Sequence, residues 1–434
     1  MKRMVGKHLC RALGIVLAAF VASWAAYAQM PEPMPVPDLT QPEQAPETQS
    51  VLQRPPPPGY ETRDLRLGTF LVGTSMDLGE GFNSNIYATK SNVRSDFITT
   101  ISPRIEIASD WSNHALALVA EGDINRHARN SSEDVANAAI QADGRLDIST
   151  GEYLRLGGGY QTLHEDRSSP DDNLGLFPTA YRLASGHLGY VRSRSRIGFG
   201  IDAGVSAYSY SNEPVAGGGQ IDNKDRNRIE YSLSPRASYE VLPGYQTYVE
   251  VTGGARAYER KVDRNGLQRS STGFSVATGL EASPTHIISG RIYVGYQQQY
   301  YNDPTLATFR APYFGASVLW NITQLTSLRF GLSNSIAETI LPSVSGVQET
   351  KVSVGVEHEL KRNLVLSGGV GYERDAYQGT SRTDGVYGAN VSATHLVNRV
   401  VSLKLQAGWE GRSSNQSGNN YDRETVMLIL KIRL

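Results

Sequence analysis

Charged side chains of both signs recur at every second position in many short segments of the chain, opposite apolar residues. Asp143, Arg145 and Asp147, for example, alternate with Gly144 and Leu146. Guanidinium, ammonium and carboxylate groups set along a wall hydrogen-bond water, ions and sugar hydroxyls, and mixed signs avoid strong selection for one charge. The residues that we predict for such a lumen-lining wall are Asp143, Arg145, Asp147, Arg228, Glu230, Arg236, Arg256, Arg291, Arg329, Lys351 and Glu357. A wall that is merely hydrated and stiff is the alternative, and the sequence leaves both open.

The sequence gives little support for a catalytic site or a metal site. Ser185 and His187 would share one face of a strand, as a hydroxyl–imidazole pair requires, but no third orienting residue is evident. The other histidines are scattered, without metal-ligand spacing. The only cysteine, Cys10, precedes the apolar part of the N-terminal leader. We therefore expect no enzymatic site, no metal and no cofactor.

Two further motifs were weighed as binding sites. The glycine triplets at 157–159 and 217–219 do not follow a strand and open a helix, so phosphate binding is not supported. The acidic run Glu165–Asp172 has the oxygen ligands that Ca²⁺ prefers and would also suit a bridge to lipopolysaccharide. A solvated surface loop is the interpretation that we favour.

The elements that carry these side chains are strands. In the last ten residues, Thr425–Leu434, the residues Val426, Leu428, Leu430 and Ile432 share one face, and Lys431 and Arg433 lie on the other. About nine to eleven residues suffice for a tilted strand to cross a bilayer. The same alternation recurs along the whole body of the chain, without a comparable segment of helical period, so the chain is predicted to be all-β.

The connections between strands alternate between tight turns and long polar loops, which is typical of outer-membrane barrels. The predicted turns are 110–113, 149–152, 193–195, 242–246, 282–285, 360–362 and 396–399. The predicted long loops are 79–94, 127–134, 164–180, 209–225, 259–268, 338–349, 374–384 and 411–422. We predict a transmembrane antiparallel up-and-down β-barrel of about 18 strands, with short periplasmic turns, long extracellular loops and an aqueous lumen. Pro103 and Pro235 fall inside predicted strands, where we expect β-bulges.

The chain divides into three parts. Residues 1–28 have the basic start, apolar stretch and Ala26-Tyr27-Ala28 cleavage motif of a signal peptide. Residues 29–60 are rich in proline and are predicted to be a disordered periplasmic segment, and 61–434 form the barrel. Removal of the leader's four basic residues from 42, against 43 acidic residues, leaves a net charge of about −5, which argues against nucleic acid as a partner.

Several motifs resemble one bacterial family. These are Glu80-Gly81-Phe82-Asn83-Ser84-Asn85-Ile86-Tyr87, Asp110-Trp111-Ser112-Asn113-His114 and His164-Glu165-Asp166-Arg167-Ser168-Ser169-Pro170. They are similar to the outer-membrane barrels called putative beta-barrel porin 2. The resemblance implies a porin that accompanies exopolysaccharide synthesis and export, and it carries over no catalytic residue.

We therefore expect a passive pore in the outer membrane of a Gram-negative bacterium, used for polysaccharide export. A general diffusion porin for small solutes and a non-conducting structural or adhesive barrel are the alternatives. The expected partners are outer-membrane lipid, lipopolysaccharide and the barrel assembly machinery, with a polysaccharide polymer and periplasmic export proteins in the first case.

Overall fold

The computed structural model describes residues 48–61, 65–172 and 175–433. The predicted signal peptide, and residues 29–47 of the proline-rich segment, lie outside the described residues. Three 3₁₀ turns, at Val51–Gln53, Ser131–Glu133 and Lys224–Arg226, are the helical segments of the described chain, and all are too short to span a membrane.

Alternating apolar and polar residues give rise to 21 strands. They are β1 Leu65–Leu67, β2 Phe70–Asn83, β3 Asp96–Ser109, β4 Ala115–His127, β5 Val135–Ser149, β6 Glu152–His164, β7 Ala180–Arg194, β8 Ile197–Tyr210, β9 Glu213–Pro214, β10 Gln220–Ile221, β11 Arg228–Leu242, β12 Tyr245–Tyr258, β13 Ser271–Ala282, β14 Ile288–Tyr301, β15 Phe309–Thr323, β16 Thr326–Ala337, β17 Gly346–Lys361, β18 Leu364–Gln378, β19 Thr383–Leu396, β20 Val401–Ser414 and β21 Tyr421–Arg433.

Eighteen of these strands form one closed antiparallel barrel, as predicted. Each long strand pairs with the next one in the chain, β8 pairs with β11 across the intervening loop, and β21 closes the ring on β2. The short β1 extends the edge of β2, and β9 and β10 form a hairpin within the loop after β8. We call the two rims the short-turn end and the long-loop end.

Alternation assigns one face of each strand to the outside. On β20 and β21 the register pairs Leu405 with Leu428 and Leu403 with Leu430, and Leu403, Leu405 and Leu428 form part of the exposed outer band. The neighbouring residues, such as Gln406 and Lys404, turn inward. A small aromatic cluster of Tyr181, Tyr208 and Tyr210 with Leu183 packs on the inner face near the long-loop end.

Some predicted boundaries were wrong. The long loop expected at 374–384 is only residues 379–382, because β18 continues to Gln378 and β19 begins at Thr383. The tight turn between β15 and β16 and the longer loop between β14 and β15 were not predicted. The turn at 324–325 lacks glycine and proline, and so gives no strong turn signal.

The bulges predicted at Pro103 and Pro235 are also absent from the described strands. The register of β3 with β4, and of β11 with β12, is the same on both sides of each proline, and the ladder only omits two residues. Register shifts occur instead beside short turns: Asp147/Ser149, Glu240/Leu242, Asn321/Thr323 and Glu359/Lys361. A register shift at these positions bends the strand into the turn, while the pairing along the rest of the strand stays regular.

Candidate functional site

The eleven charged residues predicted for the wall all lie on the inward face of their strands; ten of them take part in ion pairs, and Asp143 lies beside the imidazole of His187. The ion pairs are Arg145–Asp147, Arg228–Glu230, Arg236–Glu281, Arg256–Glu338, Arg291–Glu281, Arg329–Glu357 and Lys351–Glu349. The charges are therefore compensated locally rather than arranged as a field of one sign. Their part in transport remains a prediction.

The densest group of these charges surrounds Tyr248 on β12. Arg236 stacks on the tyrosine ring at 3.8 Å, and Arg291 donates from Nε to its hydroxyl oxygen at 2.6 Å. The two guanidinium groups share Glu281, whose carboxylate is 2.6 Å from Arg236 and 3.5 Å from Arg291. Glu250 lies 3.5 Å from Arg291 on the other side. Cation–π contacts and shared carboxylates hold this part of the wall in one arrangement.

The sequence analysis missed one partner in several of these pairs. Glu250 shares the inward alternation of the predicted Arg256 on β12, and Glu281 occupies an inward position of β13, so the period-2 pattern already contained them. Arg155 and Asp202, joined at 2.6 Å between β6 and β8, were missed in the same way. Glu338 lies just beyond β16, in a loop that turns inward to reach Arg256, and no local signal predicts that contact.

A cavity of about 320 Å³ opens on the inner wall beside β5–β8 and β11–β14. Its polar lining includes Ser185, His187, Ser206 and Gln299, together with Glu230 and Arg256. His187 Nε2 lies 3.6 Å from Asp143, the neighbour that the sequence did not reveal. Within the described chain no hydrogen bond joins Ser185 to His187.

The described part of the β6–β7 loop, residues 165–172 and 175–179, which we call the crossing loop, extends over the lumen at the long-loop end. Asp171 accepts hydrogen bonds from Thr339 Oγ1 at 2.7 Å and from the Ile340 N–H at 3.2 Å. Arg412 on β20 donates to the Ser168 carbonyl at 2.6 Å. These contacts join the β6–β7 connection to the β16–β17 connection and to β20, neither of which is a neighbour in the barrel.

Buried ion pairs anchor the crossing loop at its root. Arg167 donates to both carboxylate oxygens of Glu133 at 2.8 and 2.9 Å, and Arg226 donates to Glu165 at 2.8 Å. Arg226 is only 1% exposed. The acidic run that we interpreted as a solvated loop is therefore ordered by arginines, and Asp166 and Asp172 also lie next to arginines. The same pairing leaves Glu165–Asp172 a poor Ca²⁺ site.

A second segment, residues 48–54, lies against the inner wall at the short-turn end, and we call it the strap. The Val51 and Leu52 N–H groups donate to Ser327 Oγ at 3.0 Å and to Glu357 at 2.9 Å, and Arg329 donates to the Ser50 hydroxyl. Further along the chain, β1 pairs with β2, and β2 is separated from β17 in the barrel by β18–β21. Part of the segment predicted to be disordered therefore has a defined binding place.

Hydrogen bonds between charged groups also join two loops at the long-loop end. Arg264 donates to Asp225 from its backbone N–H at 3.0 Å and from Nε at 2.8 Å. Burial opposes ionisation of Asp225, yet the hydrogen bonds and charge of Arg264 outweigh it and hold the pKa of this carboxyl below its usual value. The loop of residues 259–270 is thus attached to the loop before β11 by an ionised carboxylate.

Comparisons with known proteins agree with this architecture. The family described as putative beta-barrel porin 2 matches residues 57–434. No curated protein matches the sequence. Similar solved structures include OpdK of Pseudomonas aeruginosa with vanillate, at 11% identity and a TM-score of 0.45, covering 84% of this chain and 99% of that one.

Two further structures have similar values. The siderophore receptor PirA of Acinetobacter baumannii has 7% identity and a TM-score of 0.46, covering 86% of this chain and 81% of the receptor. OpdO of Pseudomonas aeruginosa has 14% identity and a TM-score of 0.44, covering 84% and 97%. At these identities the likeness concerns the fold alone.

Proposed function

The chain belongs to the putative beta-barrel porin 2 family, and on that premise we propose that it is a passive outer-membrane channel for small polar solutes without net charge. The observation that carries the proposal is the local ion pairing of ten of the eleven predicted wall residues. Opposite charges within a few ångströms largely cancel beyond a Debye length of about 8 Å at physiological salt. Such a wall offers hydrogen bonds to hydroxyls but little attraction to ions of one sign.

The crossing loop and the strap support small solutes over a polymer. The crossing loop is held at several points, among them Asp171 and Ser168, and the strap is held at Val51 and Leu52. A solute of the size of a simple sugar can pass beside a loop, whereas a polymer in transit would require both segments to move. The polar cavity beside His187 supplies a stopping place along the path.

Solute flux tests this proposal directly. Purified protein in liposomes should permit osmotic swelling with monosaccharides, and the rate should fall steeply from disaccharides to tetrasaccharides. Planar bilayers should show ohmic steps with weak ion selectivity. Liposomes without protein are the control. Absence of both swelling and conductance, in the wild type and in a variant lacking the crossing loop, would favour a structural barrel instead.

Selectivity supplies a sharper test. Replacing Arg256 and Arg291 with glutamine removes two cations and leaves Glu338, Glu250 and Glu281 with fewer partners. We expect the reversal potential to shift modestly toward cation selectivity, because uncompensated carboxylates then line the path. Arg260→Gln, on an exposed outer loop, is the matched control and should leave selectivity unchanged. An equal effect of both changes would mean that Arg256 and Arg291 do not line the path.

Export of exopolysaccharide, which the family resemblance implies, is a second proposal. The inward position Gly200 on β8 adds no side chain to the lumen, and no side chain of the described residues lies within 4 Å of a Cβ placed there, so the wall has room for a bulky chain at this point. Deletion of the gene should then abolish secreted polysaccharide while cytoplasmic precursors accumulate. Normal secretion after deletion would restrict the function to small solutes.

A further inference from the structure

Four charged side chains form a square on the inner face of β17 and β18, near the long-loop end. Glu349 lies directly opposite Asp375 in the strand register, and Lys351 lies opposite Glu373. Oxygen atoms of the three carboxylates all lie within 4.8 Å of one another. The square therefore holds three acids and one base, unlike the balanced pairs along the rest of the wall.

One carboxylate oxygen of Asp375 has no partner within the described part of the protein. Its side chain is 5% exposed, and its Oδ1 atom has no hydrogen-bond donor among the described residues. A buried carboxylate without a partner is costly. The adjacent strand shows the contrast, since Asp384 accepts hydrogen bonds from Tyr377 at 3.0 Å and from Arg382.

The nearby cations do not balance the three acids. Lys351 Nζ lies 3.1 Å from Glu349 and 4.0 Å from Glu373. Arg412 on β20 acts on Asp375 through its charge, but it donates to the Ser168 carbonyl and lies 5.1 Å from the centre of the Tyr421 ring. Three ionised carboxylates therefore exceed the positive charge of Lys351 and Arg412 by one.

We propose that Glu349, Glu373 and Asp375 form a Ca²⁺ site on the inner wall. A hard divalent cation with oxygen ligands matches both the donor set and the charge excess. Oxygens that lie within 4.8 Å of one another can all contact an ion whose oxygen ligands lie at about 2.3–2.6 Å. Three carboxylates favour Ca²⁺ over Mg²⁺, because Mg²⁺ keeps several of its waters and is usually bound by only one or two carboxylates. The unpaired Oδ1 of Asp375 gains a partner in this arrangement.

Bound Ca²⁺ would fasten the β17–β18 hairpin near the crossing loop, which reaches the same rim through Arg412 and Ser168. Extracellular Ca²⁺ sites commonly have dissociation constants of about 10⁻⁴–10⁻³ M. The site would thus fill and empty with the external Ca²⁺ concentration. Because a ligand that binds only the folded state stabilises it, millimolar Ca²⁺ should raise the unfolding temperature of the barrel.

The test uses the whole refolded protein in a detergent free of lipopolysaccharide, with CaCl₂ or MgCl₂ as the probe. Titration calorimetry and the temperature of heat-induced gel-mobility change report binding. We expect wild type to bind one Ca²⁺ more tightly than Mg²⁺, and Asp375→Asn to weaken Ca²⁺ binding at least about tenfold. Asp202→Asn, an inner-wall carboxylate already paired with Arg155, is the matched control and should bind Ca²⁺ like the wild type.

Two more variants keep the proposal falsifiable if Asp375→Asn fails to fold. Glu349→Gln should weaken Ca²⁺ binding, and Lys351→Gln should strengthen it by removing the competing ammonium. No Ca²⁺ binding by wild type, or binding that none of these changes alters, would overturn the site and favour a proton shared between Asp375 and Glu373. Binding is measured without transport, so failure here is distinct from failure of the proposed channel.

Discussion

Asp143 and His187 face each other across Gly157, and their side chains come within 3.6 Å only because the strand between them has no side chain at that point. Gly157 is in register with Asp143 on β5 and with His187 on β7. A Cβ atom at Gly157 would overlap Asp143 Oδ1 and His187 Cε1 and would lie 2.9 Å from the Ala142 carbonyl. The first glycine of the mid-strand triplet thus lets two titratable groups meet over one strand.

Gly157→Ala should separate this pair and disturb the adjacent cavity. Overpacking of a closely packed site costs about 1–3 kcal/mol, so the temperature of the heat-induced gel shift should fall. The rate of sugar-driven liposome swelling should also change. Gly253→Ala is the matched control, because no atom lies within 4 Å of an added Cβ there. Equal behaviour of the two variants would show that the Asp143–His187 contact is not packed as described.

The assignment of faces can be tested with one substitution at adjacent residues of β20. Leu405 is 54% exposed in the outer band, whereas Gln406 points inward. Arginine facing lipid at the bilayer midplane costs about 2–4 kcal/mol, and arginine facing a hydrated lumen costs far less. Leu405→Arg should therefore lower the yield of folded barrel on heat-modifiability gels, while Gln406→Arg should fold nearly as well as the wild type. If Gln406→Arg lowered the yield more than Leu405→Arg, the assignment of outward and inward faces would be wrong.

Period-2 alternation predicted the barrel, its inward residues and its strand number, because a strand with one face in lipid must repeat that pattern. Leu405 and Gln406 could be assigned from sequence for this reason. The same signal disappears near the ends of strands, where both faces are polar. For this reason the loop predicted at 374–384 wrongly included the last residues of β18, among them Asp375.

Contacts between distant segments could not be predicted. Arg226 with Glu165, Asp171 with Thr339, and Val51 with Ser327 join residues 61 or more positions apart, and no local pattern encodes such pairs. The acidic run 165–172 looked solvated because two of its arginine partners, Arg226 and Arg423, lie in another loop and in a distant strand. The proline prediction failed for another reason: a barrel strand can omit two ladder partners around Pro103 without inserting a residue.

Acid should loosen the outer loop of residues 259–270. Asp225 has a pKa below its ordinary value, so its ionised form stabilises the folded loop at pH above the unfolded pKa of about 3.9. That contribution is lost as the pH falls through the lower, folded pKa. Hydrogen exchange of these amides, corrected for intrinsic rates, should therefore rise below about pH 4. Asp225→Asn should show the raised exchange already at pH 7, and Asp222→Asn, whose partner Arg260 is exposed, should show much less.

Release of the crossing loop should increase conductance. Asp171→Ala removes the acceptor for Thr339 and Ile340, and Arg412→Ala removes the donor to Ser168, so the double variant loses two of the contacts that hold the loop over the lumen. The buried Arg226–Glu165 pair at the root is kept, because removing one partner of a buried pair costs about 3–5 kcal/mol and would confuse opening with unfolding.

We expect larger single-channel steps and faster swelling with disaccharides in this double variant, at an unchanged heat-modifiability temperature. Replacing residues 48–54 with a Gly-Ser sequence of equal length tests the strap in the same assay, since it keeps the length of the connection while removing Ser50 and Val51 from the wall. If the two changes increase the conductance additively, the crossing loop and the strap narrow the pore independently, one at each end. If neither change alters conductance, the narrowest point lies within the wall itself, beside the Tyr248 cluster, where Arg236 and Arg291 are held rigidly.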